Sequence, residues 1–350
     1  MTTILSNRVQ KVKPSATMAV SDKAKELKSQ GVQIISMGSG EPDFDTPVNI
    51  QKAAIHAIGA GETRYTAADG TPELKKAIRD KFKRENGLDY TANEVMVSCG
   101  GKQVFYNLCQ AILNEGDEVI IPTPYWVSYP DMAILADATP VFIEAGLDQD
   151  FKITPQQLEA SITSKSKLLV LNSPSNPTGS VYSKSEIEAL GEVLKKHPQV
   201  LIISDDIYEH IRWGNDEFIN IAMACPELKD RIIILNGVSK AYAMTGWRIG
   251  YAAGPEIVIK AMKKIQGQST SNPSSISQAA ALEAINGDQS FITMMVEAFE
   301  RRHNFLVESL NAIDGIECPR SGGAFYSFPK VQGLIERIGL QDDVEFSTYC

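Results

Sequence analysis

The sequence predicts an α/β protein whose large lobe is built on a mostly parallel β-sheet. Short apolar runs rich in β-branched residues recur along the chain, and each ends in turn residues, as strands buried on both faces do. Longer segments with the apolar spacing of helices lie between these runs, which is the alternation of a parallel sheet with crossover helices. Both ends of the chain depart from this alternation, so we assign them to one small α/β lobe.

Five runs are predicted as strands and four longer segments as helices. The strands are Val95–Ser98, Glu118–Pro122, Leu168–Asn172, Val200–Ser204 and Ile232–Asn236. The helices are Lys102–Leu113, Ser183–His197, Pro255–Gln266 and Ser290–Ala312. The large lobe is therefore predicted to span residues 49–286, and residues 1–48 and 287–350 to form the small one.

Composition and charge narrow the classes of partner. The 350 residues include 43 acidic and 34 basic side chains, and this net charge of −9 argues against nucleic acid or an anionic membrane as a partner. No segment has the length and apolar character of a signal peptide or a membrane span. The five cysteines are scattered and lack metal-ligand spacing, so we expect reduced thiols in the cytoplasm and no metal site.

Two predicted strands end in glycine-rich or proline-rich turns. Ser98–Gln103 places two adjacent glycines before a helix, where bare backbone N–H groups can bind an anion. A tight turn without a ligand explains the same glycines. Ser173–Gly179 is a rigid turn that allows a cis bond at Pro177 and fixes the amide of Asn176 at the end of its strand, although a plain loop is the alternative.

Two other predicted strands end in charged residues. Ser204–His210 places Asp205 and Asp206 directly after a buried strand, so at least one carboxylate is expected to pair with a cation. Asn236–Gly250 places Lys240 among small and apolar residues, which can desolvate an amine and lower its pKa toward reactivity. A solvated loop lysine is the alternative reading of this second segment.

The last of these segments resembles the pyridoxal-phosphate attachment signature of the class I aminotransferases. The matching residues are Gly237, Ser239, Lys240, Gly246, Arg248 and Gly250. Further segments follow the family's order: Gly40–Pro47, Arg64–Tyr65, Gly100–Lys102, Pro124–Trp126, Asn176–Gly179, Asp205–Tyr208 and Gly322–Tyr326. Lys13–Thr17 and Pro124–Pro130 are similar to the bacterial aspartate aminotransferase subgroup. The resemblance covers essentially the whole chain and implies the family's seven-stranded sheet and pyridoxal 5'-phosphate as cofactor.

The resemblance implies a role for each polar strand end. Lys240 would form a Schiff base with the cofactor and then carry the proton between the substrate α-carbon and the cofactor. Asp205 would pair with the protonated pyridine nitrogen. Asn176 and Tyr208 would hydrogen-bond the phenolic oxygen, and Trp126 would stack on the ring. A core aromatic is the alternative reading of Trp126 and of Tyr208.

The resemblance also implies a phosphate site shared between subunits. The residues that would bind the phosphate within one chain are Gly101, Lys102, Ser239 and Arg248. Tyr65, which is both a catalytic and a cofactor-binding candidate, would reach the phosphate from the neighbouring subunit, so a homodimer with shared active sites is implied. Gly237 departs from the pattern because several relatives carry a phosphate-binding hydroxyl there, for which Ser239 can compensate.

The implied substrates are an amino acid and a 2-oxo acid. The substrate-binding candidates are Gly40, Trp126, Asn176, Thr17 and Lys13. Gly40 and Asn176 would bind the α-carboxylate, whereas Thr17 and Lys13 would contact a distal carboxylate or else belong to a solvated N-terminal segment. Family members extend beyond the equivalent of Cys350 and carry there an arginine that binds the α-carboxylate. No such motif follows Gly323, so we expect a chain that stops inside the small lobe.

The implied reaction transfers the amino group of L-aspartate to 2-oxoglutarate, giving oxaloacetate and L-glutamate by a ping-pong mechanism. Prephenate, an aromatic amino acid or kynurenine are alternative substrates, and a lyase on the same fold stays open. A truncated form that binds cofactor with little turnover is a further alternative. A non-catalytic ligand-binding module fits less well, because no basic helix-turn-helix pattern precedes the large lobe.

Overall fold

The structure, a computed structural model, describes residues 4–12, 16–35, 37–38, 40–214 and 217–349, without the side chains of residues 16–21 and 348. A seven-stranded sheet lies at its centre, with the strand order β1-β7-β6-β5-β4-β2-β3. The strands are β1 Val95–Ser98, β2 Glu118–Thr123, β3 Thr139–Glu144, β4 Ser166–Asn172, β5 Leu201–Asp205, β6 Ile232–Gly237 and β7 Gly250–Ala253. Only β7 pairs in antiparallel fashion, with β1 and β6, so the predicted mostly parallel α/β sheet is confirmed.

Helices cover both faces of this sheet. They are α1 Asn7–Lys11, α2 Ala16–Ser29, α3 Val48–Gly59, α4 Pro72–Asn86, α5 Gly101–Ile112, α6 Ser128–Leu135, α7 Pro155–Ser161, α8 Lys184–Lys195, α9 Ile221–Ala224, α10 Glu256–Gly267, α11 Ser275–Asn286, α12 Ser290–Asn311, α13 Gln332–Ile338 and α14 Asp343–Tyr349. The four helices predicted from apolar spacing correspond to α5, α8, α10 and α12. In the described part of the chain, no helix combines the length and hydropathy that a membrane span requires.

Alternating side chains of the strands build two cores, one on each face of the sheet. In β6, Ile232 and Ile234 pack with α3, α4, α8 and α11, whereas Ile233 and Leu235 pack on the opposite face with α5, α6 and α10. Every one of these β6 side chains is buried, as expected for a strand in the interior of a parallel sheet. The sheet is therefore packed against helices on both faces, which holds its carboxyl edge in place.

The N-terminal segment that contains Phe44 contacts the C-terminal part of the chain. Phe44 packs edge-to-face against Phe291 and Phe299 of α12, at centroid distances of 6.0 and 5.6 Å. An isolated antiparallel bridge between Arg212 and Gly323 attaches the C-terminal part to the loop after β5. The assignment of both ends to one small lobe, with boundaries at residues 48 and 287, stays a prediction.

Candidate active site

A cavity of about 470 Å³ lies at the carboxyl edge of the sheet, over the ends of β1, β4, β5 and β6. Parallel strands all point the same way, so residues far apart in the sequence meet at this edge. The residues predicted from the sequence that line this cavity are Gly40, Gly101, Lys102, Trp126, Asn176, Asp205, Tyr208, Ser239, Lys240 and Arg248. Its volume lies within the range of small-molecule sites.

Of the three remaining predicted residues, the structure describes the side chain of Tyr65 alone. Tyr65 is 92% exposed, so it contributes nothing to this cavity from within the same protomer. Lys13 lies outside the described residues. Thr17 belongs to α2, but its side chain is outside the described part as well. The contribution of Tyr65 to a neighbouring subunit therefore stays a prediction, as do the roles of Lys13 and Thr17.

One end of the cavity is positively charged. Helix α5 begins at Gly101, and its first two residues, Gly101 and Lys102, line the cavity together with Arg248. Gly100 has a φ of 88°, and a Cβ there would overlap the Arg248 guanidinium, so only glycine fits between the two. Arg248 Nη1 donates to the carbonyl of Thr245 at 2.8 Å, which fixes the side chain. Such an end suits a phosphate or carboxylate.

The cavity is also lined by a buried carboxylate, that of Asp205. The Tyr129 hydroxyl donates to Asp205 Oδ2 at 2.5 Å, and the backbone N–H of Ile207 donates to Oδ1 at 3.3 Å. Burial raises the pKa of Asp205 to about 6, and those two hydrogen bonds and the charge of Lys240 only partly oppose the rise. A cationic ligand group beside Asp205 would restore the ionised form.

The ends of β4 and β5 are tied together by an asparagine that the sequence analysis did not single out. Asn172 Nδ2 donates to the backbone carbonyl of Asp205 at 2.9 Å, and Asn172 Oδ1 accepts the backbone N–H of Asn176 at 2.7 Å. The Asn176–Pro177 peptide bond is cis, as the sequence allowed. Asn172 therefore fixes the spacing between the amide of Asn176 and the carboxylate of Asp205.

Lys240 lines the same cavity, where the charges of both Arg248 and Asp205 act on its amine. Its Nζ donates to the carbonyl of Gly40 and lies 5.8 Å from the ring centre of Tyr208 and 5.7 Å from that of Phe325. Burial lowers the pKa of Lys240 to about 8, against the opposing charge of Glu41. A lysine with this pKa has a useful fraction of neutral, nucleophilic amine at neutral pH.

A buried ionic network lies beside the ends of β5 and β6. The side chain of Lys81 is only 1% exposed and donates to Glu209 and, at 2.9 Å, to Asn86. Asn236, at the end of β6, donates to the same Glu209 carboxylate at 2.7 Å. Burial alone would raise the pKa of Glu209, but the charges of Lys81 and His210 and the hydrogen bonds from Lys81 and Asn86 together lower that pKa. Lys81 thus pairs with Glu209, whereas neither Asp205 nor Asp206 forms the expected ion pair among the described residues. Their carboxylates accept hydrogen bonds from neutral groups instead, Asp205 from Tyr129 and Asp206 from Ser204 and Asn220.

The chain is similar to many known proteins. The model of the family described as aminotransferase class I and II matches residues 32–349. An aspartate/prephenate aminotransferase from Nitrosomonas europaea is 56% identical over 99% of this chain and 88% of the relative. A probable aspartate/prephenate aminotransferase from Rickettsia bellii is also 56% identical, over 93% of this chain and 82% of the relative.

Solved structures share the fold at similar coverage. The crystal structure of an aspartate aminotransferase from Rhizobium meliloti has a TM-score of 0.92 and 49% identity, covering 95% of this chain and 83% of that one. An aspartate aminotransferase from Thermus thermophilus with maleate has a TM-score of 0.89 and 45% identity, covering 93% of this chain and 84% of that one.

Proposed function

The chain belongs to the class I and II aminotransferases, and from this premise we propose that it moves the amino group of L-aspartate to 2-oxoglutarate by a ping-pong reaction. The observation that carries the proposal is that Lys240, a desolvated amine, lines one cavity with the start of α5 and the buried carboxylate of Asp205. The similar enzymes are named for aspartate, and one solved relative holds maleate, which like aspartate has two carboxylates.

Enzymes of this family use pyridoxal 5'-phosphate, and the cavity fits that group. The helix end at Gly101 with the Arg248 guanidinium beside it suits the phosphate, and the buried carboxylate of Asp205 suits a protonated pyridine nitrogen. Lys102 and Ser239 line the phosphate end as well. When bound, the cofactor supplies an aldehyde that takes up the amino group and a ring that withdraws electrons.

The chain's own groups would then hold and move protons. Lys240 Nζ, with its pKa near 8, would take the proton from the α-carbon of the substrate and pass it to the cofactor. Asp205, held by Tyr129, would keep the pyridine nitrogen protonated. The amide of Asn176 and the hydroxyl of Tyr208 would orient the ring oxygen, and Trp126 would cover one face of the ring.

Substrate range tests the proposal directly. We expect kcat/KM for L-aspartate with 2-oxoglutarate to exceed that for L-phenylalanine by about 10²-fold or more, because a site that binds a carboxylate loses charge-assisted bonds with an aromatic side chain. L-glutamate formed from 2-oxoglutarate measures turnover of every donor, and a coupled assay of oxaloacetate checks the reaction of L-aspartate. Turnover of phenylalanine or kynurenine that equals or exceeds that of aspartate would refute the aspartate assignment.

Prephenate is a second candidate acceptor, favoured by the names of the similar enzymes from Nitrosomonas europaea and Rickettsia bellii. Prephenate carries two carboxylates, one of them next to its oxo group, so it presents the charges of 2-oxoglutarate on a larger frame. The same assay with L-aspartate as donor and either oxo acid as acceptor distinguishes the two. Oxaloacetate formed with prephenate would add this acceptor to the reaction, and its absence would exclude it.

We propose that the enzyme is a homodimer with shared sites, supported by the exposure of Tyr65. Mixing Lys240→Ala chains with Tyr65→Ala chains, each of low activity, should restore about a quarter of wild-type turnover, because half of the dimers are hybrids with one intact site. No recovery after subunit exchange would contradict shared sites.

The cytoplasm is the compartment that we propose, on the scattered cysteines of the sequence.

A further inference from the structure

The Gly322–Tyr326 segment is held rigidly against the rest of the cavity. Its backbone exchanges hydrogen bonds with Gly179, Ile211 and Trp213 at 3.1, 2.7 and 3.1 Å. Ala324 within it is fully buried at a φ of 57°, a conformation that such surrounding contacts must maintain. The side chain at the end of this segment is therefore placed with little freedom.

That side chain, Tyr326, brings a hydroxyl to the junction of three chain segments. Its oxygen lies 2.6 Å from the hydroxyl oxygen of Tyr208, with the two rings 5.7 Å apart and nearly perpendicular. A Cβ built on Gly40 would lie 2.9 Å from the same hydroxyl, so Tyr326 also lies against the Gly40 backbone. Tyr326 lines the cavity together with Lys240.

Both phenols keep their protons at neutral pH. Burial raises the pKa of Tyr326 to about 12 and raises that of Tyr208 well above its ordinary value, although a hydrogen bond from Asn176 opposes the second rise. The pair therefore has two O–H groups, and only one of them is needed for the bond between the two oxygens. The other remains available for an acceptor in the cavity.

We propose that Tyr326 is a positioning residue of the reaction, whose hydroxyl donates to Tyr208 and so frees the Tyr208 proton for the phenolic oxygen of the bound cofactor. The direction follows from charge, because a bond to an anionic oxygen is stronger than one to a second neutral phenol. A chain of donors also polarises its members, so Tyr326 makes Tyr208 a stronger donor. This inference rests on the proposed function, which places the phenolic oxygen beside Tyr208.

Among the described residues, the ionisable groups that face the tyrosine pair keep their own side chains in Tyr326→Phe. Asp205 and Tyr129 face it from the sheet edge, and Lys240 faces the ring of Tyr208. Glu41 and Arg248 act on the charge of Lys240 from further around the cavity. A change in cofactor absorbance caused by Tyr326→Phe can therefore be assigned to the loss of the hydrogen bond from Tyr326 to Tyr208.

The test is the pH midpoint at which the absorbance of the bound cofactor changes in the holoenzyme. A donor to the ring oxygen stabilises its anionic form and keeps this midpoint low. We expect Tyr208→Phe to raise the midpoint by about 1–2 pH units, the loss of one charge-assisted bond. Tyr326→Phe should raise it by about 0.2–0.5 units, the cooperative part of that bond.

The matched control removes a hydroxyl from the core. The hydroxyl of Tyr90 is buried and has no hydrogen-bond partner among the described residues, so Tyr90→Phe should leave the midpoint unchanged. An unshifted or lowered midpoint in Tyr326→Phe, beside a raised one in Tyr208→Phe, would overturn the inference and leave the proposed function intact. Unshifted midpoints in both variants would overturn the inference together with the cofactor-binding role of Tyr208.

A second variant guards against a change in packing. Incorporation of 3,5-difluorotyrosine at position 326 keeps the ring and the hydroxyl but makes the hydroxyl a stronger donor. The donor chain requires the midpoint to fall, opposite to the effect of Tyr326→Phe. A rise in both variants would show that packing rather than hydrogen bonding moves the midpoint, and it would refute the inference.

Discussion

Replacement of Lys240 by alanine is expected to reduce transamination by about 10⁴-fold or more, because it removes both the covalent link to the cofactor and the base that moves the α-proton. Cofactor would still bind, since the helix end at Gly101 and the Arg248 guanidinium are untouched. Steady-state turnover and mass spectrometry after borohydride reduction measure the two effects. The variant should carry no cofactor that survives denaturation.

An exposed lysine provides the matched control. Lys264, on the solvent side of α10, can be changed to alanine without touching the cavity, so turnover and covalent cofactor content should match the wild type. A Lys240→Ala enzyme that keeps turnover within tenfold of wild type would show that another group moves the proton. Covalent cofactor at a different lysine would refute the assignment of the attachment site.

The second large effect concerns stability. Lys81→Met is expected to lower the free energy of unfolding by about 3–5 kcal/mol, because it leaves the carboxylate of Glu209 buried without its cation. Asn86 and Asn236 would still donate to that carboxylate but carry no charge, and His210 Nδ1 would remain 3.7 Å from it, a longer distance than these hydrogen bonds. Urea unfolding at fixed protein and cofactor concentration measures the change.

Two variants isolate the cause of this effect. Lys76 forms an exposed pair with Asp80 on the same helix, so Lys76→Met should cause no measurable change. Adding Glu209→Gln to Lys81→Met should restore part of the lost stability, since the unpaired charge disappears. If Lys81→Met costs less than about 1 kcal/mol, the network is not an essential support of the β5 and β6 ends.

Local sequence signals were sufficient to predict most of the sheet. The five runs of branched apolar residues are strands because they are buried on both faces, which their composition reveals directly. The two strands that were not singled out lack this signal. Strand β3 is an edge strand with partly exposed residues and Pro140, and β7 reads Gly-Tyr-Ala-Ala without a branched side chain.

The sequence predicted those residues of the candidate site that directly follow a strand. Asp205, Asn176 and Lys240 each follow a recognisable strand, and the parallel sheet brings the three together at one edge. Residues that act through contacts distant in sequence could not be found in this way. Tyr129 meets Asp205 across 76 positions and Tyr326 meets Tyr208 across 118, and no local pattern encodes such pairs.

The central claim is that Lys240 and the groups around it exchange an amino group between L-aspartate and the cofactor. The most direct measurement is the absorbance spectrum of the holoenzyme before and after L-aspartate is added without an oxo acid. We predict that the visible band of the lysine-bound cofactor disappears, that the band of its amino form grows, and that one equivalent of oxaloacetate is released per site. A visible band that persists at saturating L-aspartate, with no oxaloacetate formed, would contradict the account.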